Sequence, residues 1–177
     1  MLTMTLNDLM EYSAWERNKW RHWLLQHGDQ VLETSAGAHG DGRFQTVGDL
    51  IRHIFSAEKR YVERLSGQPL TDQSTVPSKN VEALFQFGDR SRQGLRNFLE
   101  SYPACDWDVP QELKFPNSST ALKVTPRKIV THVVLHEIRH WAQIATLLRL
   151  NGMTDDFHDF LFCPVMGGEI KREGANA

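Results

Sequence analysis

Apolar residues recur at three- and four-residue spacing in four separate stretches of the chain, the pattern of amphipathic helices. The first helix is expected from about Asn7 to His27, with Leu6, Leu9, Met10, Trp20 and Leu24 near one face. Thr5 followed by Asp8 predicts a capping box, and Gly28 follows the last turn. The glycine-rich stretch SAGAHGDGRFQ leads to a second helix from about Val47 to Ser66, opened by Thr46 with Asp49 and ended by Gly67 and Pro69. Ser78 is the expected cap of a third helix, which carries Val81, Leu84, Phe85, Leu95, Phe98 and Leu99, has Gly88 and Gly94 in its middle, and stops near Pro103. Residues 103–123 read as a long loop, with a small hairpin at Trp107–Lys114 and Thr120–Val124. The fourth helix has the clearest signals: Thr125 as N-cap, Pro126 in the first helical position and Asn151-Gly152 as the stop. The fold class that follows is all-α, a four-helix bundle of the up-and-down type with a long loop between helices 3 and 4. The apolar FLFCPVM stretch after the last helix is expected to pack on the bundle, and the last several residues to be disordered.

Composition narrows the picture. With 177 residues, 40% hydrophobic and 24% charged, the chain fits one globular domain spanning 1–177. The net charge of -2, with Lys and Arg scattered among acids, provides no basic block for a phosphate backbone, so nucleic acid is not an expected partner. Cys105 and Cys163 are far apart and form no ligand spacing or disulfide framework. No stretch approaches the roughly 18 apolar residues of a membrane span, and the N-terminal residues lack the basic start and apolar run of a signal peptide. A cytoplasmic protein without a membrane partner is expected.

Chemistry concentrates in THVVLHEIRHWAQ on the fourth helix. At about 100° per residue His132, His136 and His140 drift slowly along one stripe, and His136 and His140 fall within the inward arc. At about 1.5 Å rise per residue, His132 and His140 stand about 12 Å apart, too far to share an ion, whereas neighbours one turn apart are separated by about 6 Å. At most two of the three can therefore hold one metal, and a third ligand must come from another helix. His53, at the inner edge of the second helix, is the natural candidate. For any single core-facing histidine a hydrogen bond to a neighbour is the ordinary explanation; the i, i+4 pair followed by Gln143 is what points to metal. His22, His27, His39 and His158 read as surface residues.

Two carboxylates fall where polar groups are costly. Glu137 is about 100° from His136 and still in the apolar arc, and Glu58 is near the middle of the second helix's apolar arc. One reading makes Glu137 a proton-transfer group or an acceptor behind a ligand, and Glu58 a pocket or ligand-supporting residue; the other pairs each with an arginine from a neighbouring helix. Asp49, one turn before His53, is placed to accept its free ring N–H, although helix capping explains it equally. His136-Glu-Ile-Arg-His140 also spells H-E-x-x-H, the zinc protease motif, but Gln143 and Thr146 stand where one branch of those enzymes has Gly and His, which leaves Glu169 as a downstream third ligand.

Taken together, YSAWERNKW, FQTVGDLIRHIFSAEKRYVERL and TPRKIVTHVVLHEIRHWAQIATLLRLNG resemble the DinB family, also described as DinB/YfiT-like metalloenzymes. The resemblance spans nearly the whole chain. It implies a four-helix bundle with one divalent metal ion, zinc or nickel, held by a histidine of the second helix and an H-x-x-x-H pair of the fourth, here His53, His136 and His140. Members commonly follow the last ligand with Arg-Gly-Gln or a second His, whereas this chain reads His140-Trp141-Ala142-Gln143, which predicts a different pocket wall. Some relatives are S-transferases that use a low-molecular-weight bacterial thiol such as bacillithiol or mycothiol, and related proteins include an isomerase. A metal-dependent enzyme on a small molecule, such as a thiol-dependent S-transferase or hydrolase, is therefore the expected function. The expected partners are that substrate and, as a homodimer, a second copy of the chain. The alternatives are a metal-binding stress-response bundle without catalysis and an H-E-x-x-H zinc protease.

Overall fold

A computed structural model describes residues 3–40, 42–114, 121–154 and 158–168. The expectations for Thr120, Glu169, the side chain of His39 and the end of the chain fall outside them. Four helices dominate: α1 (Leu6–His27), α2 (Val47–Leu65), α3 (Val81–Ser101) and α4 (Pro126–Leu150). A two-stranded antiparallel hairpin, β1 (Gln111–Lys114) with β2 (Ala121–Val124), precedes α4 and pairs Leu113 with Leu122. Among the described residues no helix is long and apolar enough to cross a membrane.

The helix ends follow their local chemistry. Thr5 and Asp8 form the reciprocal capping box, and the Thr46 and Thr125 hydroxyls accept the backbone N–H groups of Asp49 and Lys128. The third helix starts later than Ser78 suggested. Asn80 is the cap, accepting from Ala83 N, while its own amide donates to Asp29, whose other oxygen takes the Val81 N–H. That anchorage through Asp29, in the turn after α1, could not be read from helix periodicity.

Four residues sharing a buried layer reveal the direction of every helix. Arg17 on α1 meets Glu58 on α2 and Glu137 on α4, and Arg92 on α3 meets the same two acids. One apolar cluster, with Trp20 and Leu24, Leu50 and Phe55, Leu84 and Phe85, and Trp141 and Ile144, lies on one side of this layer. A second, with Met10, Leu95, Phe98, Val130 and Val134, lies on the other. Thus α1 and α4 run one way, α2 and α3 the other. The order is up, down, down, up, so the simple up-and-down arrangement is corrected. The segment between α2 and α3 returns along the bundle, tied midway where Gln73 Nε2 donates to Ser56 Oγ.

Two close approaches let α2 and α3 lie side by side in parallel. A Cβ at Gly48 would stand 2.1 Å from the Ser78 carbonyl oxygen, and one at Gly88 would stand 2.8 Å from the Phe55 ring. Gly88 therefore weakens α3 by propensity but is required by packing, whereas Gly94 faces open space. After α4, Cys163 and Val165 turn into the protein, while Leu161, Phe162 and Met166 remain exposed. The FLFCPVM stretch thus packs through only part of its apolar surface.

Candidate metal centre

The antiparallel course of α2 and α4 sets one imidazole of α2 opposite an i, i+4 pair of α4. His53 Nε2 lies 3.0 Å from His136 Nε2, and His140 Nε2 lies 3.1 Å from the same atom. One nitrogen from each ring lies within 4.8 Å of the others, and the three residues form a cluster that can hold a metal ion. Two nitrogens each about 2.0–2.1 Å from a single ion are separated by roughly 2.8–3.4 Å at octahedral or tetrahedral angles, a range that includes the spacings around His136. His132, one turn earlier, is not part of the cluster, as the helical rise requires.

Gln143 settles which nitrogen of His140 faces the centre. Its Oε1 lies 2.8 Å from His140 Nδ1, so the ring donates Nδ1–H to the amide and turns a bare Nε2 toward His136. Without an ion, the His136–His140 contact needs a proton on His136 Nε2 and the His53–His136 contact needs one on either of its two nitrogens. A cation satisfies all three lone pairs at once, and this is the physical reason the donor set fits a metal. Histidine nitrogens without thiolate or carboxylate suit zinc, nickel and related ions.

Electrostatics keep the imidazoles neutral. Burial, reinforced by His140 and by the guanidinium groups of Arg43, Arg60 and Arg139, pushes His53 down to about 4. Burial, with His140, His53, His132 and Arg139, pushes His136 down to about 3. Near neutral pH neither need release a proton before coordinating. Phe44, from the loop before α2, packs on His53 with ring centres 4.7 Å apart and sets its edge toward His140 at 6.1 Å. Tyr61 packs on His132 at 5.6 Å, one turn before His136 on α4. No periodic signal marks Phe44, since it lies outside every helix.

The two predicted acids go elsewhere. Glu137 is buried and accepts from Arg17, Arg92, Ser13 Oγ at 2.7 Å and Trp141 Nε1 at 3.0 Å. Its carboxyl is held down at about 2: burial opposes ionisation, but the Arg17 and Arg92 charges together with the Arg17 and Ser13 hydrogen bonds outweigh it. Glu58 Oε2 accepts from Arg17 at 3.0 Å and Arg92 at 2.9 Å. Neither carboxylate touches an imidazole, so the geometry fits the arginine-pairing reading rather than proton transfer. With Glu137 turned away, the H-E-x-x-H spelling lacks its general base. Asp49 accepts from Gln45 N and Arg52, and does not reach His53. Trp141 stacks on Trp20 at 5.7 Å in the core, so the departure from His-Arg-Gly-Gln alters the interior rather than the wall beside the histidines.

A groove of about 630 Å³ between α1 and α4 opens on the opposite side of α4 from the three histidines. His158, expected on the surface, is packed there: it stacks on Trp20 at 4.3 Å and its Nδ1 lies 2.5 Å from Glu16 Oε2. Its position came from the segment after α4, whose path has no sequence period. His22 and His27 are exposed as expected.

No curated protein is similar enough to the chain to count as a match. The sequence profile of the DinB family matches residues 1–171 of the 177. A four-helix bundle with three converging histidines and a family match over almost the full length leads to one assignment: the chain belongs to the DinB family.

Proposed function

We propose that this protein is a metal-dependent enzyme acting on a small molecule, with one divalent ion, zinc or nickel, held by His53, His136 and His140. The observation that carries the reading is the convergence of one nitrogen from each of three imidazoles, one ring oriented by Gln143. Three nitrogen ligands leave a coordination position for a substrate atom. A bound ion supplies Lewis acidity there, enough to favour a thiolate or hydroxide near neutral pH. Gln143 fixes one ligand ring, while the Phe44 ring packs on another, His53. Thiol-dependent S-transfer or hydrolysis is the reaction class, in a cytoplasmic and homodimeric protein. A purely structural ion is the less economical reading, because apolar clusters on both sides of the Arg17–Arg92 layer already join α2 to α4.

Elemental analysis of purified protein tests the site: near-stoichiometric metal is expected in the parent and little in His53→Ala or His140→Ala. Chelation should abolish turnover in a panel of low-molecular-weight thiols with electrophilic acceptors and in ester hydrolysis, while the protein stays folded with its helical circular dichroism intact. Full turnover by protein shown to be free of metal would overturn the proposal.

A further inference from the structure

The surface beside the histidines gathers several guanidinium groups. At about 100° per residue, His53, Ala57, Arg60 and Arg64 fall within about 60° of one another on α2, and His132, His136 and Arg139 do the same on α4. The two stripes face each other, as the His53–His136 and Tyr61–His132 contacts show. From the loop before α2, the Arg43 guanidinium sits 5.1 Å from the centre of the Phe44 ring, which itself covers His53.

Among the described residues the half-buried Arg60 and the exposed Arg139 form no hydrogen bond or salt bridge, and Arg60 Nε alone is buried without a partner. The acids that could neutralise them are engaged. Glu58 and Glu137 hold Arg17 and Arg92, Glu63 faces Lys59 and Thr71, Asp49 faces Arg52, and Asp72 caps Ser74. A dication among neutral imidazoles would add two further positive charges. Burying a guanidinium nitrogen without an acceptor is unfavourable unless a ligand provides one.

We infer that the substrate of this cleft carries an oxyanion group, received by Arg60 and Arg139 while a second atom of the same molecule reaches the metal position. This rests on the metal reading above and adds the substrate's class. Guanidinium forks match carboxylate and phosphate oxygens in paired hydrogen bonds, and their placement on opposing helices would bridge α2 and α4 across the bound molecule.

Cobalt(II)-loaded protein, whose absorption reports thiolate ligation, is titrated with mercaptosuccinate, a thiol with two carboxylates, and with the neutral 2-mercaptoethanol. The parent should bind mercaptosuccinate at least about tenfold more tightly. Arg60→Gln and Arg139→Gln should each remove most of that advantage while leaving cobalt content and mercaptoethanol affinity unchanged; Arg96→Gln, on the exposed face of α3, should change neither. Equal affinity of the parent for both thiols, or a preference that survives in the Arg60→Gln/Arg139→Gln double variant, overturns the inference. Competition by succinate and by inorganic phosphate identifies the source: whichever displaces mercaptosuccinate at lower concentration names the oxyanion, and displacement by neither overturns the inference. If cobalt does not bind, the metal reading fails separately. Calorimetry of succinate and phosphate with the metal-free protein then decides the arginine site: binding lost in the double variant supports it, and no binding overturns it.

Discussion

Replacing Glu137 by Gln tests the account of the polar layer, because the change keeps the shape and removes only the charge. In the parent the carboxylate accepts from two guanidiniums, a hydroxyl and an indole N–H, all buried. The variant leaves Arg17 and Arg92 to share Glu58, whose Oε1 already lacks a partner among the described residues. Removing one member of a buried ion pair costs about 3–5 kcal/mol, so a loss of that size is expected at pH 7 in urea unfolding followed by tryptophan fluorescence. Acid gives an independent measure. The folded carboxyl sits at about 2, below the ordinary 4.5, so its stabilisation is complete above 4.5 and fades as pH falls toward 2. That interval corresponds to roughly 3 kcal/mol in all, of which about 1 kcal/mol should be gone by pH 3.5. The variant should therefore lose about 1 kcal/mol less than the parent between pH 7 and 3.5. A variant within about 1 kcal/mol of the parent at pH 7, or one with the same acid sensitivity, would refute the claim that this carboxylate anchors the layer.

Other consequences are open to direct measurement. Gly94→Ala should stabilise the protein by about 0.5–1 kcal/mol through helix propensity, whereas Gly88→Ala should destabilise it by about 1–3 kcal/mol because its methyl meets Phe55; thermal melts of both variants check the opposite signs. Gln143→Leu frees the His140 ring and should weaken zinc affinity by about 10–100-fold in a competition titration with a chromogenic chelator. In metal-free protein the ring proton signals of His53 and His136 should stay in their neutral positions through pH 6 and shift only near 4 and 3. Because the unfolded imidazoles bind protons first, stability should decline as pH drops from about 6.5 toward those values. Titration of either ring near 6.5 would contradict the burial argument.

Helix number, three of the four caps and the one-turn spacing of His136 and His140 were all legible in the sequence, for a common reason. Each depends on spacing within one helix or on side chains next to their own backbone. Thr5 with Asp8 acts over one turn, and His136 with His140 can converge because a helix repeats every 3.6 residues. Relations between helices were not encoded in any such period. Glu58 and Glu137 read as site residues because an acid on an apolar stripe is ambiguous until its partner is known. Arg17 and Arg92, from two other helices, made them the centre of the fold and hold both carboxylates away from the histidine cluster. The parallel course of α2 and α3, the Phe44 wall, and the placement of Arg60 and Arg139 on facing stripes likewise came only from tertiary structure. Periodicity determines which face of a helix turns inward; what that face meets depends on how the other helices pack against it.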